Sequence, residues 1–286
     1  MSTRRRLILL LGGVLLSTFV ALAGGALHWN AGTRELRGEL LAGARTIQPR
    51  RFEATNLESL PPPVARYLRR VLKDGQPMID SVHFAHRGRF NMGENEPEWT
   101  GFSSTQLVVP SAPGFDWDAR ISLGAGISVR VHDAFVGGTG VLHASVAGLF
   151  TVADMRGTPE LAEGELQRYL AEAVWYPTAF LPGQGVSWSA IDASRAKATL
   201  SAGATTVSLE FGFDSAGLIR TVATDHRYRS VGSRFVATPW QGRFWDYAER
   251  NGMLIPLQGE VAWLLPAGAW PYWQGELTSI QPHFAP

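Results

Sequence analysis

The side chains with chemistry to offer are few and poorly spaced for sharing a substrate. His83 and His86 lie three apart in a stretch whose apolar residues recur at every second position. A strand there points them to opposite faces, which is poor for a shared metal. His132–Asp133 and Asp225–His226 are sequence neighbours and are split across a strand in the same way. A metal would have to draw its ligands from distant strands, so no metal and no cofactor is expected. Glu165 and Glu172 share one side of a helical stretch, two turns apart. Paired carboxylates serve as acid and base when their environments differ. Arg168 lies between them at i+3 and i−4, which makes a surface salt-bridge ladder the simpler reading. Asp192 and Asp246 are single acids near aromatics, with Arg195, Arg243 and Arg250 as prospective partners.

The motifs that mark common enzyme classes are missing. No serine sits in a G-x-S-x-G elbow, and no H-E-x-x-H or Walker lysine loop occurs. Gly138-Thr139-Gly140 lacks the third glycine of a dinucleotide fingerprint. The chain has no cysteine, which removes disulfides, thiolate sites, a cysteine nucleophile and a lipid-modified cysteine. A formal net charge of +1 provides no field to favour nucleic acid. No catalytic residue is assigned.

What remains is aromatic. The chain holds 10 Trp and 14 Phe, side chains that carry large apolar area. Trp175, Tyr176, Phe180, Trp188, Trp240, Trp245, Trp263, Trp270, Tyr272 and Trp273 fall near expected turns or strand ends, and Trp117 sits on a strand. They either fill a core or line a cavity for an apolar ligand.

A single helix organises the elements that would position them. Leu166, Tyr169, Leu170, Ala173 and Val174 recur at i, i+3, i+4, i+7 and i+8, one helical face. Pro177 and Pro182 end the helix near Trp175 and bound an aromatic loop. Pro61–Pro63 open a second amphipathic helix with Val64, Tyr67, Leu68, Val71 and Leu72 inward and Arg66, Arg69, Arg70 and Lys73 outward. Its simplest reading is a helix packed on its own domain with solvated charges.

From Ser81 onward the period is two. Phe115, Trp117, Ala119, Ile121 and Leu123 alternate with Asp116, Asp118, Arg120 and Ser122, the clearest half-buried strand. Asn251-Gly252 marks a hairpin. The pattern predicts a mainly β (α+β) chain of roughly eleven antiparallel strands, a curved sheet or open half-barrel covered by the helix. The concave space beneath such a helix is a natural seat for an acyl chain, with Leu166, Tyr169, Leu170, Val174, Trp175, Tyr176, Phe180, Trp188, Trp117, Trp240, Trp263 and Trp273 as its lining.

The N-terminus sets the compartment. Arg4–Arg6 precede Leu7–Leu27, 21 residues without a charge, long enough to span a hydrocarbon core of ~30 Å. The basic cluster keeps its own end in the cytoplasm and exports the rest. Ala21-Leu22-Ala23 resembles a processing site, but the run continues beyond it, which favours an uncleaved single-pass anchor in the bacterial inner membrane. The expected organisation is an anchor over 1–29, a linker region over 30–57 that opens with a short helix carrying Leu36, Leu40 and Leu41, and a half-barrel over 58–286.

The segments LPPPVARYLRRVL, PELAEGELQRYLAEAVWYPTAFLP, ATPW and NGMLIPLQGEVAW resemble those of a family of bacterial exported proteins defined only by a domain of unknown function. The resemblance covers roughly residues 57–282 and implies no activity. The order of elements is also similar to the LolA and LppX-type lipoprotein-carrier fold, an open half-barrel with helices over its concave face. That likeness implies binding of acyl chains and supplies no catalytic residues. A membrane anchor fits a fixed binding or handover role better than shuttling.

Three functions follow in order of fit. The first is a periplasm-facing protein that binds a lipid or another hydrophobic ligand, including a lipoprotein acyl chain. The second is an assembly partner of an envelope protein, with a solid core. The third is an envelope hydrolase assembled from distant strands. A cavity of roughly 300 Å³ beneath the helix favours the first reading, and tight packing there favours the second.

Overall fold

The computed structural model describes residues 3–93, 95–124, 126–232 and 234–285, with the backbone alone for 6–8. Three helices, α1 (Thr3–Ala42), α2 (Pro62–Val71) and α3 (Pro159–Glu172), accompany thirteen strands. The first six are β1 (Ile79–Asn91), β2 (Trp99–Val109), β3 (Gly114–Gly124), β4 (Ile127–Val136), β5 (Thr139–Val146) and β6 (Phe150–Arg156). After α3 come β7 (Val186–Ala190), β8 (Arg195–Ala202), β9 (Thr205–Phe213), β10 (Ile219–Val231), β11 (Arg234–Arg250), β12 (Met253–Leu265) and β13 (Gly268–Phe284).

All strands join one sheet in the order β6-β5-β4-β3-β2-β1-β13-β12-β11-β10-β9-β8-β7, and every pairing is antiparallel. The count exceeds the roughly eleven expected from pattern. Val141–Phe150 divides at a turn into β5 and β6, and Arg195–Ala202 is a strand that the periodicity reading passes over.

The curl follows from what α3 touches. It packs on β5 and on β9, nine ladder steps apart in the sheet order. Laid flat, those strands would lie about 43 Å from each other at ~4.8 Å per step. One helix can meet both only if the sheet rolls around it. The turn at Gly138 meets the turn at Gly203, where a Cβ on either would lie 3.3–3.5 Å from the other's Cα. The roll stays open between the edge strands β6 and β7, and α3 with the 3-10 turns Ala173–Trp175 and Pro177–Phe180 is the chain that crosses the gap.

The sheet bends most easily where side chains are absent. Gly88 pairs with Gly275, and Gly275 with Gly259, so β1, β13 and β12 carry glycine in one cross-strand row. The Trp273 indole lies over that row. A Cβ on Gly275 would sit 2.3 Å from its ring.

The helix expected at the start of the 30–57 region is the continuation of α1 rather than a separate element. α1 continues unbroken to Ala42, and its second half lies on the outer face of the sheet, opposite α3. Leu40 packs with Leu107, Val109, Ala134, Val136 and Val141, and that apolar contact stabilises a helix whose own sequence is polar there. α2 behaves as its pattern predicts, with Val64, Tyr67, Leu68 and Val71 in the core.

Candidate functional site

The seat predicted beneath α3 is filled by α3's own side chains. Thr158 caps the helix by accepting from the Leu161 amide at 3.2 Å, and Pro159 opens its first turn. Leu166, Tyr169, Leu170, Val174, Trp175, Tyr176 and Phe180 are each at most 2 % exposed and join the main core. Trp175 packs on His86 at 4.6 Å and Phe244 at 5.7 Å, and its Nε1 donates to Pro256 O at 2.9 Å. Phe180 meets Trp188 and Phe211, each at 5.4 Å, and Trp188 Nε1 donates to Phe180 O at 3.1 Å. The hollow expected beneath this helix is close-packed. Apolar faces from two wings of the sheet converge on one helix, and large rings fill the space.

Two cavities of about 490 Å³ lie elsewhere. One sits over the glycine row and is walled by the outward residues Arg87, Arg89, Glu260 and Glu276 with Trp245. The other runs between α1 and Asp118, beside Asn30, Thr33, Arg34 and Arg37. Neither touches α3.

The polar flank of α3 is buried, which corrects the surface-ladder reading. β4 and β10 wrap the side that a helical wheel assigns to solvent. Arg168 donates to Glu172 at 2.8 Å and Asp133 at 2.5 Å, and its guanidinium lies over Phe115 and Trp117 at 5.0 and 4.8 Å. Gln106 donates to the other oxygen of Glu172 at 2.6 Å. Glu165 is buried beside Asp133; burial first, then the Asp133 charge, pushes its pKa well above the ordinary value, against the pull of Arg168 and Arg227. Both effects favour its neutral form. As pH rises through the ordinary glutamate range, the unfolded chain releases a proton that the fold retains, so stability falls. Glu165→Gln is expected to raise the melting midpoint by a few degrees at pH 8 and to flatten its decline with pH. Calorimetry from pH 4 to 8 checks both.

The concave face beyond α3 is lined by rings. At Val261/Ala262 the β12–β13 register shifts, with Trp273 and Pro271 as partners, so Tyr272 is an extra residue between them. The bulge turns both Tyr272 and Trp273 inward. Tyr272 stacks on Trp263 at 5.3 Å, meets Phe90 at 6.1 Å and accepts from Trp240 Nε1 at 2.9 Å. Trp273 packs on His86 at 5.5 Å and Phe102 at 5.7 Å, and Phe102 on Trp117 at 5.9 Å. A second bulge at Asp225–His226, opposite Pro239, swings Arg227 into the interior, over Trp240 at 5.3 Å and against the Gly164 carbonyl. Phe90, Tyr272, Trp263 and Trp273 are half-buried and pack on the core near the end of the sheet where β1 and β12 finish and β13 begins.

Polar atoms are mixed into this lining. His86 Nε2, Ser104 Oγ, Trp117 Nε1 and Arg227 Nε are buried without a hydrogen-bond partner among the described residues. Burial, with Arg168 adding to it, holds the His86 imidazole down at about 3, so it is neutral. The sequence picks out Trp117, Trp240, Trp263 and Trp273 and misses Phe90 and Arg227. Pro239, a residue that breaks a ladder, is the sign that β10 and β11 fall out of register there.

His132, with an acid and a hydroxyl in reach, is structural. His132 Nδ1 bonds Asp116 at 2.7 Å, and its Nε2 meets Thr33 Oγ1 at 3.2 Å. The Thr33 hydroxyl also donates to Asp118 at 2.9 Å, which ties up its proton. Trp29 covers the imidazole at 4.4 Å and donates to Asp118, and the ring is buried. With Arg37 on Asp116 at 2.8 Å, the group locks α1 to the sheet. Trp29 is buried in this lock. Asp192 and Asp246 are exposed rather than buried, and Asp192 pairs with Arg195 at 2.8 Å.

Fold and site together define a rolled antiparallel half-barrel with a helix lodged between its edge strands and half-buried aromatic rings at one end. Residues 58–281 match the "Family of unknown function (DUF6920)", and the chain belongs to that family. No curated protein matches. The structure is similar to the LolA superfamily protein NE2245 from Nitrosomonas europaea, with 12 % identity, TM-score 0.39, and coverage of 72 % of this chain and 88 % of that one. It is also similar to a putative outer membrane lipoprotein-sorting protein domain from Vibrio parahaemolyticus, with 9 % identity, TM-score 0.38, and coverage of 71 % and 85 %. The architecture assigned to this chain rests on its own sheet.

Proposed function

We propose that this is a single-pass, bilayer-anchored protein whose half-barrel lies on the extracytoplasmic side and binds the apolar part of an amphiphile. Leu7–Leu27 supplies the anchor, since α1 carries an uninterrupted apolar stretch near the N-terminus. Arg4–Arg6 set the orientation. On this reading the half-buried rings at one end of the sheet form the mouth of the binding place, in preference to the filled seat under α3. The observation that carries this reading is the half-buried group of Phe90, Trp263, Tyr272 and Trp273, continuous with unpartnered donors at Trp117 and Arg227. Rings take the chain, and the donors suit ester or carboxylate oxygens.

The test is lipid uptake by the delipidated full-length chain, followed by native mass spectrometry with lyso-phosphatidylethanolamine as probe. The Trp263→Ala/Tyr272→Ala pair is expected to weaken uptake about tenfold, or ~1.4 kcal/mol. Equal uptake by the two chains removes the mouth from the account. The filled seat favours a second reading, a partner-docking envelope protein without a ligand. That reading predicts no stoichiometric uptake and a protein crosslink from position 270, since Trp240 is buried.

A further inference from the structure

The end of the roll where α1 leaves it carries apolar hairpin tips. Leu123 and Ile127 flank the β3–β4 turn, and Leu149, Phe150 and Val152 surround the β5–β6 turn. These five side chains are 40–69 % exposed, and the stretches LGAGI and AGLFTV contain no charge. The antiparallel ladders of β3, β4 and β5 place both tips at the same end.

α1 fixes what that end faces. Gly25 is in backbone contact with the β5–β6 turn: a Cβ on Gly25 would lie 2.9 Å from Ala147 O, and one on Gly148 2.7 Å from Gly25 O. Eighteen residues of helix separate Leu7 from Gly25, about 27 Å of rise. If the apolar run crosses a core of ~30 Å, Gly25 lies at its outer boundary, and the turn packed on it lies at the same depth.

Next to the tips stand two cations. Arg120 on β3 and Arg130 on β4 are direct cross-strand partners, a like-charge pairing that opposes the sheet unless an anion relieves it. The Arg130 side chain lies 3.6 Å from where a Cβ on Gly148 would be, and its Nη1 is buried without a partner. Desolvation and the Arg120 charge both lower its pKa, while Asp118 raises it.

We propose that the β3–β4 and β5–β6 tips insert into the outer leaflet of the bilayer that α1 crosses, with Arg120 and Arg130 on lipid phosphates. The idea rests on the anchor reading above. An apolar hairpin sunk ~5–10 Å into the headgroup boundary leaves residues about three positions back along the strand at phosphate level. The tips and α1 then hold the half-barrel at two points, which fixes its tilt on the membrane.

The chain has no cysteine, so single spin labels can be placed without clearing native thiols. Full-length Phe150→Cys, Leu123→Cys, Val14→Cys and Lys73→Cys chains are reconstituted in phosphatidylethanolamine–phosphatidylglycerol vesicles. Collisions with oxygen and with an aqueous nickel chelate are then read. Labels at 123 and 150 are expected to collide more with oxygen than with nickel, as at 14, and position 73 to show the reverse. Arg120→Gln/Arg130→Gln is expected to raise nickel access at 150. If position 14 reads as lipid while 123 and 150 read as water, insertion is wrong and the anchor stands. Low access to both reagents at 150 means protein cover and also overturns it. A water-exposed position 14 removes the anchor reading and this inference with it.

Discussion

Replacing Arg168 by methionine costs the fold about 3–5 kcal/mol, the range for removing one partner from a buried ion pair. Methionine keeps much of the apolar stem. What disappears is the cation that holds Asp133 and Glu172 and draws Glu165 toward its charged form. Both ion-paired carboxylates expose no more than 21 % of their side chains, so water replaces little of the lost interaction. The guanidinium also covers Phe115 and Trp117, and those contacts weaken too. Denaturant unfolding of the single variant measures the loss. Adding Asp133→Asn and Glu172→Gln to Arg168→Met should recover a large part of it, because the uncompensated charges are then gone. A triple variant no more stable than the single would mean that lost ring contacts dominate.

The second large effect belongs to the glycine row. A Cβ at Gly88 would lie 1.9 Å from the Gln274 carbonyl oxygen, a backbone atom that moves only with its strand. Gly88→Ala is expected to destabilise by roughly 3 kcal/mol or more, beyond ordinary overpacking. Gly275→Ala meets the Trp273 ring instead, a side chain with somewhere to go. Its stability loss should be smaller, with a change in tryptophan emission as the indole leaves the row. Comparing unfolding midpoints and emission of the two variants separates backbone strain from ring displacement. Equal midpoints with unchanged emission would show that the row tolerates side chains.

Much of the architecture is legible in the sequence because local pattern and tertiary environment agree there. The 3.6 period of Leu166–Val174 and the stop at Pro177 match α3 and its 3-10 turns. Phe115–Leu123 matches β3, and Asn251-Gly252 is a turn with positive φ at both residues. The two missed strands lack such agreement. β6 is an edge strand whose Phe150 and Val152 are not covered by the rest of the fold, so it shows no alternation. β8 presents Ala196 and Ala198 inward, residues with weak strand preference. The turn at Ala147–Gly148 carries none of the strong hairpin pairs.

The site was less legible for a different reason. A wheel drawn on α3 gives one apolar face, yet two wings of the sheet close around the helix and bury Glu165 and Gln167 as well. Tyr272 and Arg227 reach the interior through bulges, and a slip in register flips a side chain's face without a clear mark in its own sequence.

The most direct test places a photoreactive phenylalanine analogue at Phe90 or Trp263 of the full-length chain in its native membrane. On irradiation, the account predicts a phospholipid or fatty-acyl adduct at either position and none at Leu209, which is packed in the core. Irradiation that yields only crosslinks within the chain, or to another protein, would contradict a mouth that holds an amphiphile.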